Sequence, residues 1–250
     1  MKVKVISLLV ASLSLSQAIA LPRPSLRKIL GVAGRASSAL SVSADEPTPA
    51  AKLLEVSLSA AGEAIVLLCF IRLCALAVGA CQSDRSRAIV TAIAWIAVVQ
   101  GSSRLQGITQ SSTEVINPDW YQSLSKPVWQ PPPWAFPVVW IPLKILQIIA
   151  ASRLWANLDY KSFTEPSMVF FMLHLALGDV WNRQFFVKQR MLTGLLVIYT
   201  FWIVLTCTTV LFSLSSTLSA SLLVPTVIWV FIASALNLDI WWLNRNRLNL

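Results

Sequence analysis

The sequence predicts an all-α integral membrane protein whose main body is a bundle of five transmembrane helices. Of the 250 residues, 56% are hydrophobic and only 12% are charged, whereas about 25% of residues are charged in a soluble domain. Apolar runs of roughly the 20 residues that a helix needs to cross a bilayer recur along the chain. Four tryptophans and five prolines lie within residues 120–140, at the mouth of one such run, and this composition is typical of a membrane interface.

The first 51 residues have the features of a leader. Residues 1–20 resemble a signal peptide, because Lys2 and Lys4 precede an apolar stretch that ends in the small-residue sequence Ala18-Ile19-Ala20. Within residues 21–51, residues 21–44 are rich in Ser, Arg and Ala and contain no acidic residue, as in organelle transit peptides, and residues 43–51 form a Pro-containing linker.

A signal followed by a transit segment resembles the bipartite plastid targeting of algae whose plastid lies within the endomembrane system, although Leu21 replaces the usual aromatic residue. The alternatives are a signal anchor of the secretory pathway and a mitochondrial presequence. We therefore expect a multi-pass protein of an organelle envelope, with the plastid favoured over the mitochondrion and the endoplasmic reticulum.

The leader also explains most of the net charge of +9. Six basic residues precede Asp45, the first acidic residue, and the remaining chain has 14 basic and 11 acidic residues. A net charge of +3 in the membrane part gives no reason to expect a nucleic-acid partner.

The apolar runs define five spans and one less certain segment. Residues 52–86 contain an additional apolar helix, but Glu63 and Arg72 interrupt it, and one charge at a helix centre costs about 2.5–3.5 kcal/mol on insertion scales. This helix is either an extra N-terminal span, an interfacial segment or a processed one. The five-helix domain covers residues 87–250, and its spans lie near residues 88–106, 134–156, 167–187, 192–212 and 220–243.

The four cysteines indicate neither a metal site nor a disulfide framework. They show no Cys-x-x-Cys spacing and lie within or at the ends of apolar segments, where a small residue favours helix packing. The cysteines are Cys69, Cys74, Cys81 and Cys207.

Residues 87–247 resemble the TspO/MBR family, whose members are also called translocator proteins or tryptophan-rich sensory proteins. The resemblance rests on separated segments that occur in one order along the chain. The matching residues are Trp120, Tyr121, Leu124, Lys126, Pro127, Trp129, Pro131, Pro132, Trp134, Phe136, Val139 and Trp140 in the first loop and second helix; Trp155 at the end of that helix; Phe163, Thr164, Glu165, Trp181, Phe185 and Phe186 in the third; and Pro225, Trp229, Ala233, Leu236, Asn237, Ile240, Trp241, Leu243 and Asn244 in the fifth.

The resemblance implies a five-helix bundle with a pocket beneath the first loop, which in relatives receives porphyrins, sterols and synthetic aromatic ligands. Aromatic walls would stack on a flat hydrophobic ligand, and Asn237 would orient one polar group. The alternative for each aromatic side chain is core packing or anchoring at the interface. The wall residues are Trp129, Trp134, Phe136, Trp140 and Trp181.

The departures from the family pattern lie where the ligand would be bound. Lys144 replaces a tyrosine of the second helix, Gly178 an asparagine of the third and Thr226 a tyrosine of the fifth, while Leu238 replaces the tyrosine of the sterol-recognition motif. These changes argue against carrying over sterol binding.

Two ionisable residues are unusual at this depth. Our hypothesis is that Lys144 and Asp179 form an intramembrane pair that lines the pocket and selects a ligand with a carboxylate, such as a tetrapyrrole. The alternative is that Asp179 faces a polar cavity while Lys144 extends toward the interface.

The function expected from these residues is that of a membrane receptor or binding protein for a hydrophobic aromatic ligand, a porphyrin, haem or sterol-like metabolite. The alternatives are an enzyme that degrades porphyrins, a transporter and a scaffold with a diverged pocket. The only histidine, His174, is better explained as a core residue than as a catalyst, so we assign neither catalytic residues nor a metal. We expect no cofactor other than a bound porphyrin or haem. The partners are the bilayer and, through the small residues 101–103, a second copy of the chain.

Overall fold

The computed structural model describes residues 47–108 and 118–247, except for the side chains of residues 103–108, 118 and 247. The leader predicted over residues 1–51 therefore lies almost entirely outside the described residues. The chain divides into two units, residues 1–55 and residues 56–250. Within residues 47–55 of the first unit, the chain enters a helix at Pro49, a residue type that suits the first helical turn because its missing N–H would have no partner there.

All described elements are helices. The long ones are α1 (Pro49–Gly79), α2 (Asp84–Ile108), α4 (Ala135–Asn157), α5 (Pro166–Asn182), α6 (Met191–Ser215) and α7 (Thr217–Asn244). A short helix, α3 (Pro118–Ser123), lies in the connection between α2 and α4. A π-helical segment, Arg183–Val187, continues α5, and a 3₁₀ turn, Arg245–Arg247, follows α7.

Short connections make successive long helices run in opposite directions. Ser216 alone separates α6 from α7, and its hydroxyl accepts a hydrogen bond from the Ser219 N–H at 3.2 Å, which caps α7. Residues 158–165 connect α4 to α5 at the same end of the bundle. We call this end the far end, and the opposite end, where residues 118–134 lie, the lid end.

The additional N-terminal helix packs on the five-helix domain in the second unit. Leu67, Leu68 and Ile71 of α1 are buried in one apolar cluster with Trp95 of α2 and Ala151 of α4. The sequence analysis placed this helix within residues 52–86. In the structure it begins earlier, at Pro49, because proline is tolerated in the first turn, and it ends earlier, at Gly79, which precedes an irregular connection.

Aromatic rings fill the centre of that cluster toward the far end. Trp95 contacts Trp155 at 5.8 Å and Phe171 at 5.4 Å, in both cases edge to face. Phe171 stacks on Phe212 at 5.5 Å. Trp155, near the end of α4, is a fully buried core residue.

The outer surface of the bundle is apolar. Four helices, α1, α4, α6 and α7, are long and apolar enough to cross a membrane. Neither α2, whose ends carry polar and charged residues, nor α5, whose regular α-helix stops after 17 residues, meets the same test of length and composition. Large hydrophobic side chains such as Leu73 of α1, Ile149 of α4 and Ile203 of α6 are exposed, so the structure has the exposed apolar belt that a bilayer requires.

Candidate functional site

The lid, residues 118–134, is tied to the end of α7 by Asn244. The side chain of Asn244 accepts a hydrogen bond from the Ser125 N–H at 3.0 Å and donates to the Ser125 carbonyl at 2.8 Å. It also donates to the Ile240 carbonyl of its own helix at 2.7 Å. The amide is fully buried, and both of its N–H groups and its oxygen are used.

A second tie joins the lid to α7 one turn earlier. The indole N–H of Trp129 donates to a carboxylate oxygen of Asp239 at 2.9 Å. The ring itself remains 45% exposed, and Trp134, just before α4, is 67% exposed. These two predicted wall residues therefore lie at the rim of the lid and not inside the bundle.

The lid also rests on the π-helical segment. Trp120 and Tyr121 of α3 contact Phe185 at 5.6 and 6.3 Å, and Tyr121 contacts Phe186 at 5.4 Å. π-Helical turns are frequent at functional sites. Here the wider turn brings two consecutive phenylalanines to the underside of the lid.

Burial of the lid changes the electrostatics of two of its residues. Desolvation raises the pKa of Tyr121 and lowers the pKa of Lys126. The Lys126 ammonium lies 4.8 Å from the centroid of the Tyr121 ring and donates to the carbonyls of Gln122 and Leu124. Lys126 thus holds the turn after α3 together.

Beneath the lid, Trp181 and Asn237 bind each other. The indole N–H of Trp181 donates to Asn237 Oδ1 at 3.2 Å, and Asn237 Nδ2 donates to the Ala233 carbonyl at 3.0 Å. Both residues are buried, and Trp181 stacks against Phe185 at 6.4 Å. The polar group expected to orient a ligand is therefore satisfied within the protein.

The remaining predicted residues of α4 share one helix face. Phe136, Trp140 and Lys144 are spaced by four residues, and all three are half-buried. Phe136 contacts Trp229 of α7 at 6.0 Å, edge to face. One turn below Lys144, Gln147 donates to the Thr226 hydroxyl at 3.4 Å, so this face points at α7.

Asp179 lies in a polar cluster that we define as Glu63, Ser102, Lys144 and Asp179, one residue from each of α1, α2, α4 and α5. Asp179 interacts with Glu63, Ser102 and Lys144. Lys144 and Asp179 are thus near each other as expected, but their N and O atoms do not come within 4.0 Å.

The predicted site residues consequently fall into three groups. Trp129 and Trp134 lie on the lid, and Trp181 and Asn237 form a closed pair. Phe136, Trp140 and Lys144 share one face of α4, with Lys144 near Asp179. Asp179 and Trp181 are two residues apart on α5 and so project to different sides of that helix.

Residue-by-residue prediction missed four contributors. Asp239 and Asn244 fasten the lid, and Glu63 and Ser102 complete the polar cluster. The signal for Asn244 was its spacing of seven from Asn237, which places both on one face of α7. No local signal linked Glu63 to Asp179.

His174 is a core residue in this arrangement. Its ring lies 4.5 Å from that of Phe171 and 6.2 Å from that of Phe201, and the side chain is buried. No group of three or more potential metal ligands occurs among the described residues. The four cysteines are free thiols.

Comparison with known proteins identifies the class to which this bundle and lid belong. The sequence model of the TspO/MBR family matches residues 88–243, a range that contains the lid, the π-helical segment and all of α7 except Asn244. The chain belongs to the TspO/MBR family.

Individual relatives agree with this assignment. The chain is 39% identical over 125 residues to Protein CrtK of Rhodobacter capsulatus, which covers 50% of this chain and 78% of that protein. It is 34% identical over 142 residues to a tryptophan-rich sensory protein of Cereibacter sphaeroides, covering 56% and 87%. The human translocator protein is 32% identical over 125 residues, covering 49% and 73%.

Proposed function

We propose that the chain is a membrane receptor for a flat, hydrophobic ligand that carries a carboxylate, and that a tetrapyrrole is the leading candidate. The observation that carries this proposal is the state of Lys144. Within the described part of the chain, its ammonium has no carboxylate oxygen within 4.0 Å and no hydrogen-bond acceptor.

An intramembrane ammonium in this state needs a counter-charge. A lysine at the centre of a span costs about 2.5–3.5 kcal/mol on insertion scales, and such residues face the bundle interior or a cavity. Asp179 only partly supplies the counter-charge, because its carboxylate also interacts with Glu63 and Ser102. A ligand carboxylate next to Lys144 would neutralise the charge of the ammonium and accept a charge-assisted hydrogen bond from it.

The same helix face offers the apolar part of such a site. Trp140 lies one turn above Lys144 and Phe136 two turns above, toward the lid, and both rings are half-buried. Aromatic side chains around a small number of polar groups are the usual lining of a ligand site. The names of the relatives, sensory protein and translocator protein, are compatible with ligand recognition.

The test is titration of the purified full-length chain with protoporphyrin IX, followed by quenching of tryptophan fluorescence. We expect Lys144→Met to weaken binding by about 10- to 100-fold, the range of a lost charge-assisted contact. Arg85→Met removes one positive charge from an exposed side chain at the far end and should leave the affinity unaltered. Equal affinities of wild-type protein and Lys144→Met would remove Lys144 from the site.

The porphyrin dimethyl ester provides a second control. Because it has the ring but no carboxylate, we expect it to bind wild-type protein and Lys144→Met equally. Failure of every porphyrin to bind would instead favour the scaffold alternative.

We propose a receptor rather than an enzyme because His174 is enclosed by Phe171 and Phe201 and so is poorly placed to exchange protons with a ligand. Oxidative degradation of porphyrin is the alternative. Illumination of the protein–porphyrin complex tests it, since a specific breakdown product formed faster than in detergent alone would show catalysis.

We also propose an envelope membrane of the plastid as the location, on the composition of residues 1–51. A fluorescent protein fused behind these residues tests it, and retention in the secretory pathway would contradict it.

A homodimer through the small residues of α2 stays a proposal, although the Ser102 side chain is buried inside the chain. Cross-linking at Gly101 in native membranes tests it, and an unlinked monomer would count against this face.

A further inference from the structure

A second candidate site lies at the far end of the bundle. A cavity of about 210 Å³ is formed between α1 and the connection from α4 to α5. Arg72 of α1 lines it together with Asp159, Tyr160, Lys161, Ser162 and Phe163 of the connection. No residue of the receptor site described above takes part.

The cavity has an excess of positive charge. Arg72 and Lys161 line it with one acidic residue, Asp159. In the part of the chain that is described, none of these three side chains forms an ion pair within 4.0 Å. Two cations therefore face one cavity without a protein partner, which is the arrangement expected of an anion site.

Ser162 is an independent indication that a polar ligand belongs here. It lines the cavity and is only 2% exposed, and its hydroxyl oxygen has no hydrogen-bond partner among the described residues. Buried hydroxyl groups are nearly always hydrogen-bonded, because an unsatisfied one costs about 1–3 kcal/mol. An anion with several acceptor oxygens would satisfy the hydroxyl and both cations together.

The connection is held in shape before any ligand binds. At the end of α4, the Tyr160 N–H donates to the Trp155 carbonyl at 2.9 Å and the Asp159 N–H donates to the Ala156 carbonyl at 3.2 Å. These bonds form a Schellman motif, with Asp159 in the left-handed region at φ 49°. The rings of Tyr160 and Trp155 are 5.0 Å apart and complete the motif.

The surroundings favour a lipid as the source of the anion. Tyr160 and Phe163 flank the cavity, and Phe163 is half exposed, as aromatic residues are at a membrane interface. Basic pockets between transmembrane helices are recurrent sites for phosphorylated head groups. We propose that this cavity binds the phosphate group of an anionic phospholipid.

The additional N-terminal helix is necessary for this site. Arg72 belongs to α1, which lies outside the family match at residues 88–243. Binding of the phosphate would therefore bridge α1 to the family bundle at the far end, as Glu63 does inside the membrane.

The experiment is native mass spectrometry of the full-length chain in detergent, titrated with phosphatidylglycerol. We expect one tightly retained lipid, with affinity at least about tenfold weaker in the double variant Arg72→Gln/Lys161→Gln. The control Arg85→Gln/Arg153→Gln removes two exposed cations from the same end and the same net charge, and should retain the lipid. Equal binding in the two double variants would overturn the proposal.

A gain of binding provides a check that does not depend on losing cations. Asp159→Asn keeps a residue type that tolerates the left-handed region and removes the one carboxylate that lines the cavity among the described residues. We expect it to bind phosphatidylglycerol several-fold more tightly, and unchanged or weaker binding would contradict the site. Displacement of the lipid by millimolar inorganic phosphate would show that the cavity takes free phosphate, and would overturn the assignment to a lipid.

Discussion

Asn244 shows how one side chain can hold a loop over a membrane bundle. An asparagine has two N–H donors and one strong acceptor, and here each is matched by a backbone group of Ser125 or Ile240. Aspartate has nearly the same shape but no donors, so its carboxylate would face two carbonyl oxygens. Position 244 therefore requires the hydrogen-bonding groups of an amide as well as a side chain of this size.

We expect Asn244→Ala to lower the free energy of unfolding by about 2–3 kcal/mol, because it leaves the N–H and carbonyl of Ser125 without partners. Asn244→Asp should be at least as destabilising. Asp239→Ala, which removes one hydrogen bond to an exposed tryptophan, should cost only about 1 kcal/mol. Unfolding in mixed micelles measures all three, and equal losses for Asn244→Ala and Asp239→Ala would contradict this ranking.

The residue scale also shows what the sequence could reveal about the site. The polar character of Lys144 and Asp179 at membrane depth could be predicted from the sequence. The mutual hydrogen bond of Trp181 and Asn237 could not, because α5 and α7 are distant in sequence and only the packed bundle brings them together.

At the scale of elements, α1 is the part that sequence reasoning left open. Its charged residues argued against a span, yet both have polar surroundings: Glu63 lies in the polar cluster that also contains Lys144, and Arg72 lines the far-end cavity. Hydropathy cannot distinguish an uncompensated charge from one that a later helix compensates. The five other long helices were predictable because each is a long apolar run between turn-forming residues.

A matched pair of substitutions tests the packing of α1. We expect Leu67→Ala, at a buried position against the bundle, to cost about 2 kcal/mol or more through the cavity that it leaves. Leu73→Ala on the opposite side of the same helix, where the side chain is 64% exposed, should cost little. Equal effects would indicate that α1 is interfacial and does not pack on the bundle. The measurement is the unfolding midpoint of the full chain in mixed micelles.

At the scale of the whole molecule, the apolar surface indicates a bilayer as the environment. Large hydrophobic side chains are exposed on every helix that is long and apolar enough to span a bilayer, while polar clusters lie inside. This is the reverse of a soluble protein, and it follows from the need to satisfy all polar groups internally when the solvent is hydrocarbon.

Two lysine substitutions on α6 test whether the exposed side of this helix faces a bilayer or water. Ile203 lies at the middle of α6 and Leu214 near its end, and both are exposed, at 55% and 77%. We expect Ile203→Lys to reduce the membrane-inserted, folded fraction, with a cost of about 2.5–3.5 kcal/mol, and Leu214→Lys to be tolerated because the ammonium can reach the interface. Protease protection in microsomes measures the inserted fraction. Similar tolerance of both substitutions would contradict a transmembrane α6.

The position of Glu63 has a consequence for biogenesis. Translation proceeds from the N-terminus at about 5–20 residues per second, so α1 is made before the helices that carry Ser102, Lys144 and Asp179. During this interval the Glu63 carboxyl has none of those three companions. The environment of Glu63 in α1 is therefore complete only after α5 has been made, although α1 leaves the ribosome before the other described helices.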